Sequence, residues 1–112
     1  MNNQIDANTK LDELMAVGVM GWSIVDEQIC EMLPESRPPG LLVTSPIYNW
    51  YPTKNPKQAK ICAVKYSEDT GNNVYLEYSK GTWMIIIGHS RETVKDEDFA
   101  FGICKAIEKE IQ

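Results

Sequence analysis

Tyr48, Trp50 and Tyr51 stand within four residues, bounded by Pro46 and Pro52, and cations flank them: Lys54 and Lys57 follow, and Arg37 precedes. A flat ring stacked on aromatic side chains gains about 1–3 kcal/mol per base, while a nearby Lys or Arg takes the phosphate. A small nucleotide needs just such a set. The chain has two arginines, Arg37 and Arg91, so a bidentate grip on phosphate falls to them. The same residues have two other uses. Aromatics between prolines often pin a long loop to a core, and exposed Trp, Tyr and Arg are enriched where proteins meet. Trp22 and Trp83 read as core residues.

Catalytic pairings are sparse. His89-Ser90 is the one adjacent base and hydroxyl, and neighbours in a strand point to opposite faces, so no triad follows. His89, just after an apolar strand, is placed to touch a ligand at the sheet's end and is the one candidate general base. Glu77, Glu92, Asp96 and Asp98 read as a solvated face and a helix start. No GxSxG elbow, GxGxxG, P-loop or HExxH is present. Cys30, Cys62 and Cys104 are odd in number, widely spaced and without a CxxC, so they are expected as buried, reduced thiols rather than zinc ligands. No metal or cofactor is expected.

Sixteen acidic against eleven basic residues leave a net charge of −5 and a pI near 4.8. Sequence-independent duplex DNA binding relies on clustered Lys and Arg and is disfavoured; mimicry of nucleic acid needs denser negative charge. One pocket with two or three cations is invisible in a net charge. With 43% apolar and 24% charged residues the composition is that of a soluble globular protein. Residues 1–112 are expected as one domain, with 1–8 flexible. The longest apolar run, Trp83 to Ile87, is far short of the ~18 residues of a membrane span. Met1 to Asp6 has neither the basic nor the apolar segment of a secretory leader, so a cytoplasmic location is expected.

The elements that must position these groups follow from spacing and caps. A first helix is predicted from Thr9, with Asp12 at capping-box spacing, to Met20, with Leu11, Leu14, Met15 and Gly18 on one face. Gly21 stops it in the left-handed conformation, with Trp22 packing beyond. Ser23 to Leu33 has no clean period; Pro34, Pro38, Pro39 and Gly40 mark a loop, and Leu41 to Thr44 a short strand ended by Pro46. Asn55-Pro56 opens a second helix with the stripe Ala59, Cys62, Ala63 and Tyr66; Ile61 to Ser67 also alternates as a strand would, and the cap decides for helix. After a turn-rich loop, Glu68 to Asn73, come strands Val74–Tyr78 and Thr82–Ile87, joined at Lys80-Gly81 in a tight hairpin. Ile85 to Ile87, without a polar break, predicts cover on both faces. Asp96 is expected to cap a last helix to Ile111, burying Ala100, Ile103, Cys104, Ile107 and Ile111. The class is α+β: a small antiparallel sheet between helices, in αβα layers, ordered helix, irregular strands, helix, hairpin, helix.

Leu11 to Trp22, above all Met20-Gly21-Trp22, resembles the VAxKVMGW opening of small phage and prophage proteins of the phage ABA sandwich domain family. Pro52-Thr53 before the second helix and Phe101-Gly102-Ile103-Cys104-Lys105-Ala106 in the last are similar to its later segments, whereas Gly18 stands where that family has a charge. The resemblance implies an αβα fold, a phage origin and action in an infected bacterium; it implies no catalytic residues. The function expected from it is non-catalytic sequestration of a small nucleotide immune signal, of cyclic ADP-ribose type or a cyclic oligonucleotide. The pocket expected for it is shared between subunits of a homo-oligomer, with Tyr48, Trp50, Tyr51, Arg37, Lys54, His89 and Arg91 as contacts. The alternative is a protein that blocks a host or defence protein through the same aromatics; a nucleotide-cleaving enzyme working through His89 comes third.

Overall fold

Asn55 marks the start of the second helix more firmly than any other single residue marks an element. Its carboxamide oxygen accepts from the backbone N–H of Lys57 at 3.0 Å and of Gln58 at 3.2 Å, and Pro56 occupies the first helical position, where no N–H is needed. The computed structural model describes residues 3–25, 27–32 and 44–111. In it α1 (Asn3–Leu14) passes into a wide π-helical turn (Met15–Val19); β1 (Ser23–Val25), β2 (Gln28–Met32) and β3 (Thr44–Pro46) follow, then α2 (Pro56–Thr70), β4 (Val74–Ser79), β5 (Thr82–Ile87), β6 (Ser90–Lys95) and α3 (Phe99–Ile111), the last entered through a 3-10 turn at Asp96–Asp98. The α+β class and the alternation of helix, strands, helix, strands, helix are as expected.

Among the described residues two antiparallel sheets of three strands carry the β structure, ordered β1-β2-β3 and β4-β5-β6. Lys80 and Gly81 both take positive φ, 51° and 80°, which gives the β4–β5 hairpin the twist of its strands. The expected hairpin is in fact a meander. Ser90–Lys95, too polar to read as a strand, pairs along β5 with Ile85 opposite Glu92 and Ile87 opposite Ser90. Alternation divides this sheet cleanly: Val74, Leu76, Trp83, Ile85, Ile87 and Val94 pack on the core, while Tyr75, Glu77, Arg91 and Thr93 are exposed. Among the described residues the helices cover one face only, so the expected cover on both faces narrows to a two-layer arrangement. Ile86 and Met84 on the open face are only partly covered, so the unbroken Ile85–Ile87 run does not mark a strand buried on both faces.

The core lies between that sheet and the helices. Ala59, Cys62, Ala63 and Tyr66 of α2 and Phe99, Ala100, Ile103, Cys104 and Ile107 of α3 are buried, with Leu11, Met15 and Val19 from the first helical segment. Small residues let the backbones close in: a methyl group on Gly102 would lie 2.8 Å from Ile85 Cδ1. Cys30, Cys62 and Cys104 are free and buried. Burial pushes the Cys62 thiol up to about 12 and that of Cys104 upward as well, so both act as apolar filling.

Five expectations are corrected. The first helix begins at Asn3, ahead of the Thr9 cap, and Gly18 is exposed; its stop at Gly21, φ +75°, holds. Helix α2 continues to Thr70 before Gly71 (φ +75°) ends it, so the loop expected from Glu68 is shorter. Asp96 makes no cap bond; its Oδ1 accepts from Trp83 Nε1 at 2.8 Å. Ile111 remains 39% exposed because the core ends before it. The proline-marked loop and Leu41 to Val43 lie outside the described residues.

Candidate functional site

Asp12 organises the aromatic segment. Its carbonyl accepts from the Trp50 indole Nε1 at 3.0 Å, and its carboxylate Oδ1 accepts from the Thr53 backbone N–H at 2.9 Å. The residue sits just before the helix widens, where Met20 N–H reaches back five positions to Met15 O at 3.0 Å. Trp22, which follows the Gly21 stop, meets the Trp50 ring edge-on with centroids 4.7 Å apart. Pro52 is fully buried. Trp50 is therefore a strut between α1 and the loop, and its indole is committed within the protein.

From the other side Gln58 clamps the same loop. Its Nε2 donates to Asn49 O at 2.7 Å and its Oε1 accepts from Tyr51 N–H at 2.8 Å. Asn49 takes φ 58°, which asparagine tolerates better than most residues. Tyr51 O accepts from the N–H groups of Lys54 and Asn55, at 2.9 and 3.0 Å, closing the turn into α2. Ile47 N–H donates to Ile29 O at 2.9 Å, anchoring the segment to β2. The Tyr51 ring, its backbone thus fixed, is left 44% exposed.

These elements enclose a cleft of about 460 Å³ walled by Thr9, Asp12, Glu13, Ile29, Trp50, Tyr51 and Lys54. A neighbouring hollow lined by Ile24 and Glu27 shares Thr9, Glu13 and Ile29 with it. The walls bring one cation, Lys54, against the carboxylates of Asp12 and Glu13. Burial raises the Asp12 carboxyl above its ordinary value, opposed by the Thr53 bond and the Lys54 charge. The N-terminal N–H groups of α2 that Asn55 engages are taken by its side chain, so they are not offered to an anion. The cleft can stack a ring on Tyr51, accept a ring N–H at Glu13, and hold one negative group at Lys54.

Of the residues picked from the sequence, Trp50, Tyr51 and Lys54 come together here. Tyr48 is 72% exposed and not part of the cleft wall. His89 lies in the β5–β6 turn, where its backbone N–H donates to Glu110 Oε1 at 3.1 Å. Arg91 lies on the open sheet face with Nη2 2.8 Å from Met84 Sδ. Neither lines the cleft. Arg37 lies outside the described residues. Asp12 stands out in the sequence only at capping-box spacing, and Glu13, Ile29 and Gln58 carry no site signal there; contacts with the loop span up to 41 positions, which no local pattern signals. Among the described residues no group of three His, Cys, Asp or Glu is placed to hold a metal ion, and no helix is long and apolar enough to cross a membrane. No family model, curated protein or solved structure matches this chain.

Proposed function

We propose that this protein holds a small nucleotide without transforming it, taking the base into the Asp12–Tyr51 cleft and leaving the phosphate at its mouth. The observation that carries the reading is the wired loop: four hydrogen bonds from α1 and α2 fix a half-exposed Tyr51 ring beside Glu13 and Lys54. A purine stacks on the tyrosine, its exocyclic amine donates to the Glu13 carboxylate, and Lys54 meets one phosphate. Among the described residues one cation stands against two carboxylates, which favours ligands of low charge over polyphosphates. That suits sequestration of a compact cyclic signal in a phage-infected cell better than capture of a triphosphate. Release of the intact signal on denaturation is the property that distinguishes a sink from an enzyme.

The test is a thermal-shift panel of cyclic mononucleotides, cyclic oligonucleotides, cyclic ADP-ribose forms and ATP, followed by chromatography of the ligand after denaturing the complex. A shift confined to one class, with that ligand recovered unaltered, is expected. A recovered product replaces the reading with cleavage. No shift with any nucleotide overturns it and leaves the alternative, in which the exposed aromatics Tyr48 and Tyr51 meet a segment of a host or defence protein.

A further inference from the structure

We infer that the edge of β4, which no strand flanks among the described residues, pairs antiparallel with the β4 of a second copy, with Leu76 on the two-fold axis, joining two three-stranded meanders into one continuous sheet. The backbone supplies the first argument. Gly88 N–H donates to Asn73 O at 3.1 Å, so the odd-numbered positions of this ladder bond towards β5. Antiparallel ladders alternate, and Val74, Leu76 and Tyr78 therefore turn their N–H and C=O groups to the open edge. The strand has six residues, no proline and a single charge, Glu77, on its open face, so of the devices by which natural edges avoid pairing it carries only that one. The other long edge is guarded. On β6 the outward groups belong to Arg91, Thr93 and Lys95, and a two-fold pairing about Thr93 sets Arg91 against the partner's Lys95. The edges of the small sheet, β1 and β3, are three residues long, and β3 contains Pro46.

Side chains select the register. Residues that face each other must share a sheet face, so the two-fold passes through one residue rather than between two. Centred on Leu76, Val74 opposes the partner's Tyr78 and Tyr75 opposes the partner's Glu77. Centred on Glu77, two carboxylates confront each other, which is unfavourable. Helix α2 supplies an independent match. A groove of about 430 Å³ beside the edge is lined by Lys60, Val64, Glu68, Val74 and Leu76. Lys60, Val64 and Glu68 recur at four-residue spacing on one helix face, and Val64 is 58% exposed. An axis through Val64 sets Lys60 against the partner's Glu68, and Glu68 against the partner's Lys60. Leu76 and Val64 line the same groove, so one axis serves strand and helix together.

The test is size-exclusion chromatography with light scattering over a concentration series of the full chain. Wild type is expected at twice the monomer mass of 12.7 kDa. Lys60→Glu is expected to weaken the dimer about tenfold, because two like-charge contacts replace two opposite-charge ones, and adding Glu68→Lys restores it. Tyr78→Pro, which removes an outward N–H, is expected to give a monomer with unchanged far-UV circular dichroism. Monomer at every accessible concentration of wild type overturns the inference. So does a dimer indifferent to both Lys60→Glu and Tyr78→Pro. None of these results depends on what occupies the cleft.

Discussion

Replacing Trp50 by alanine removes an indole that donates to Asp12 O at 3.0 Å and meets the Trp22 ring at 4.7 Å. Full burial of such a ring is worth about 3–5 kcal/mol on truncation, and partial exposure places this site near the lower end, at about 3 kcal/mol. Against a total stability of about 5–15 kcal/mol, with about 4 °C of melting temperature per kcal/mol at this size, the variant should melt roughly 12 °C lower. Tyr51→Ala is the contrasting change. Its ring is 44% exposed, and its backbone bonds to Gln58, Lys54 and Asn55 survive, so its stability cost should stay near 1 kcal/mol. Loss of a stacking wall should instead weaken nucleotide binding between about 5-fold and about 150-fold. Urea unfolding followed by circular dichroism, paired with calorimetric titration of the nucleotide that gives a thermal shift, separates the two. A stable Trp50→Ala protein that has lost binding would make Trp50 a ligand platform and refute its role as a strut. Undiminished affinity in Tyr51→Ala would remove that ring from the site.

Gly102→Ala sets a methyl group 2.8 Å from the fully buried Ile85 and 2.9 Å from Val94, an overpacking cost of about 1–3 kcal/mol that exceeds the ~1 kcal/mol gained in helix propensity; urea unfolding should show a net loss. Asp12 has a raised folded pKa, so its contribution to stability is greater when protonated and falls as pH rises through that value. Asp12→Asn, which keeps the acceptor for Thr53, should therefore melt no lower than wild type at neutral pH, with the gap closing towards pH ~4. Asp12→Ala should lose about 1–3 kcal/mol by leaving the Thr53 N–H unpaired. Glu110 is held below the ordinary carboxylate range, first by the Ser90 hydroxyl at 2.7 Å and then by the His89 N–H. The stability it lends is present above that range and disappears as pH falls through the lowered value; Ser90→Ala should raise the Glu110 titration midpoint in a carboxylate NMR titration.

Signals in the sequence are legible where the physics is local. The Asn55-Pro56 cap, the Ala59–Tyr66 stripe, the Lys80-Gly81 turn and the Gly21 stop each depend on residues a few positions apart, and each holds. Strand β6 was hidden because its exposed positions, Arg91, Thr93 and Lys95, alternate with Ser90, Glu92 and Val94, and only the last of those inner positions is hydrophobic. The π-helical turn leaves no trace in composition. For the site, the aromatic segment was legible, but the division of labour within it was not. Trp50 turned inward and Tyr51 outward because Asp12 and Gln58 fasten the loop from two helices, contacts that only the tertiary fold creates.

The two sheets are hydrogen-bonded each within itself; among the described residues no ladder joins them. The amides of Ile29 and Cys30 should accordingly exchange with solvent deuterium before those of Ile85 and Ile87, which sit in the packed meander. Since Ile29 walls the cleft on the readily opened side and Tyr51 on the firmly clamped side, any guest spanning the two acts as a staple. Slowed exchange along β2 would then report occupancy even for a molecule that touches that strand at a single side chain.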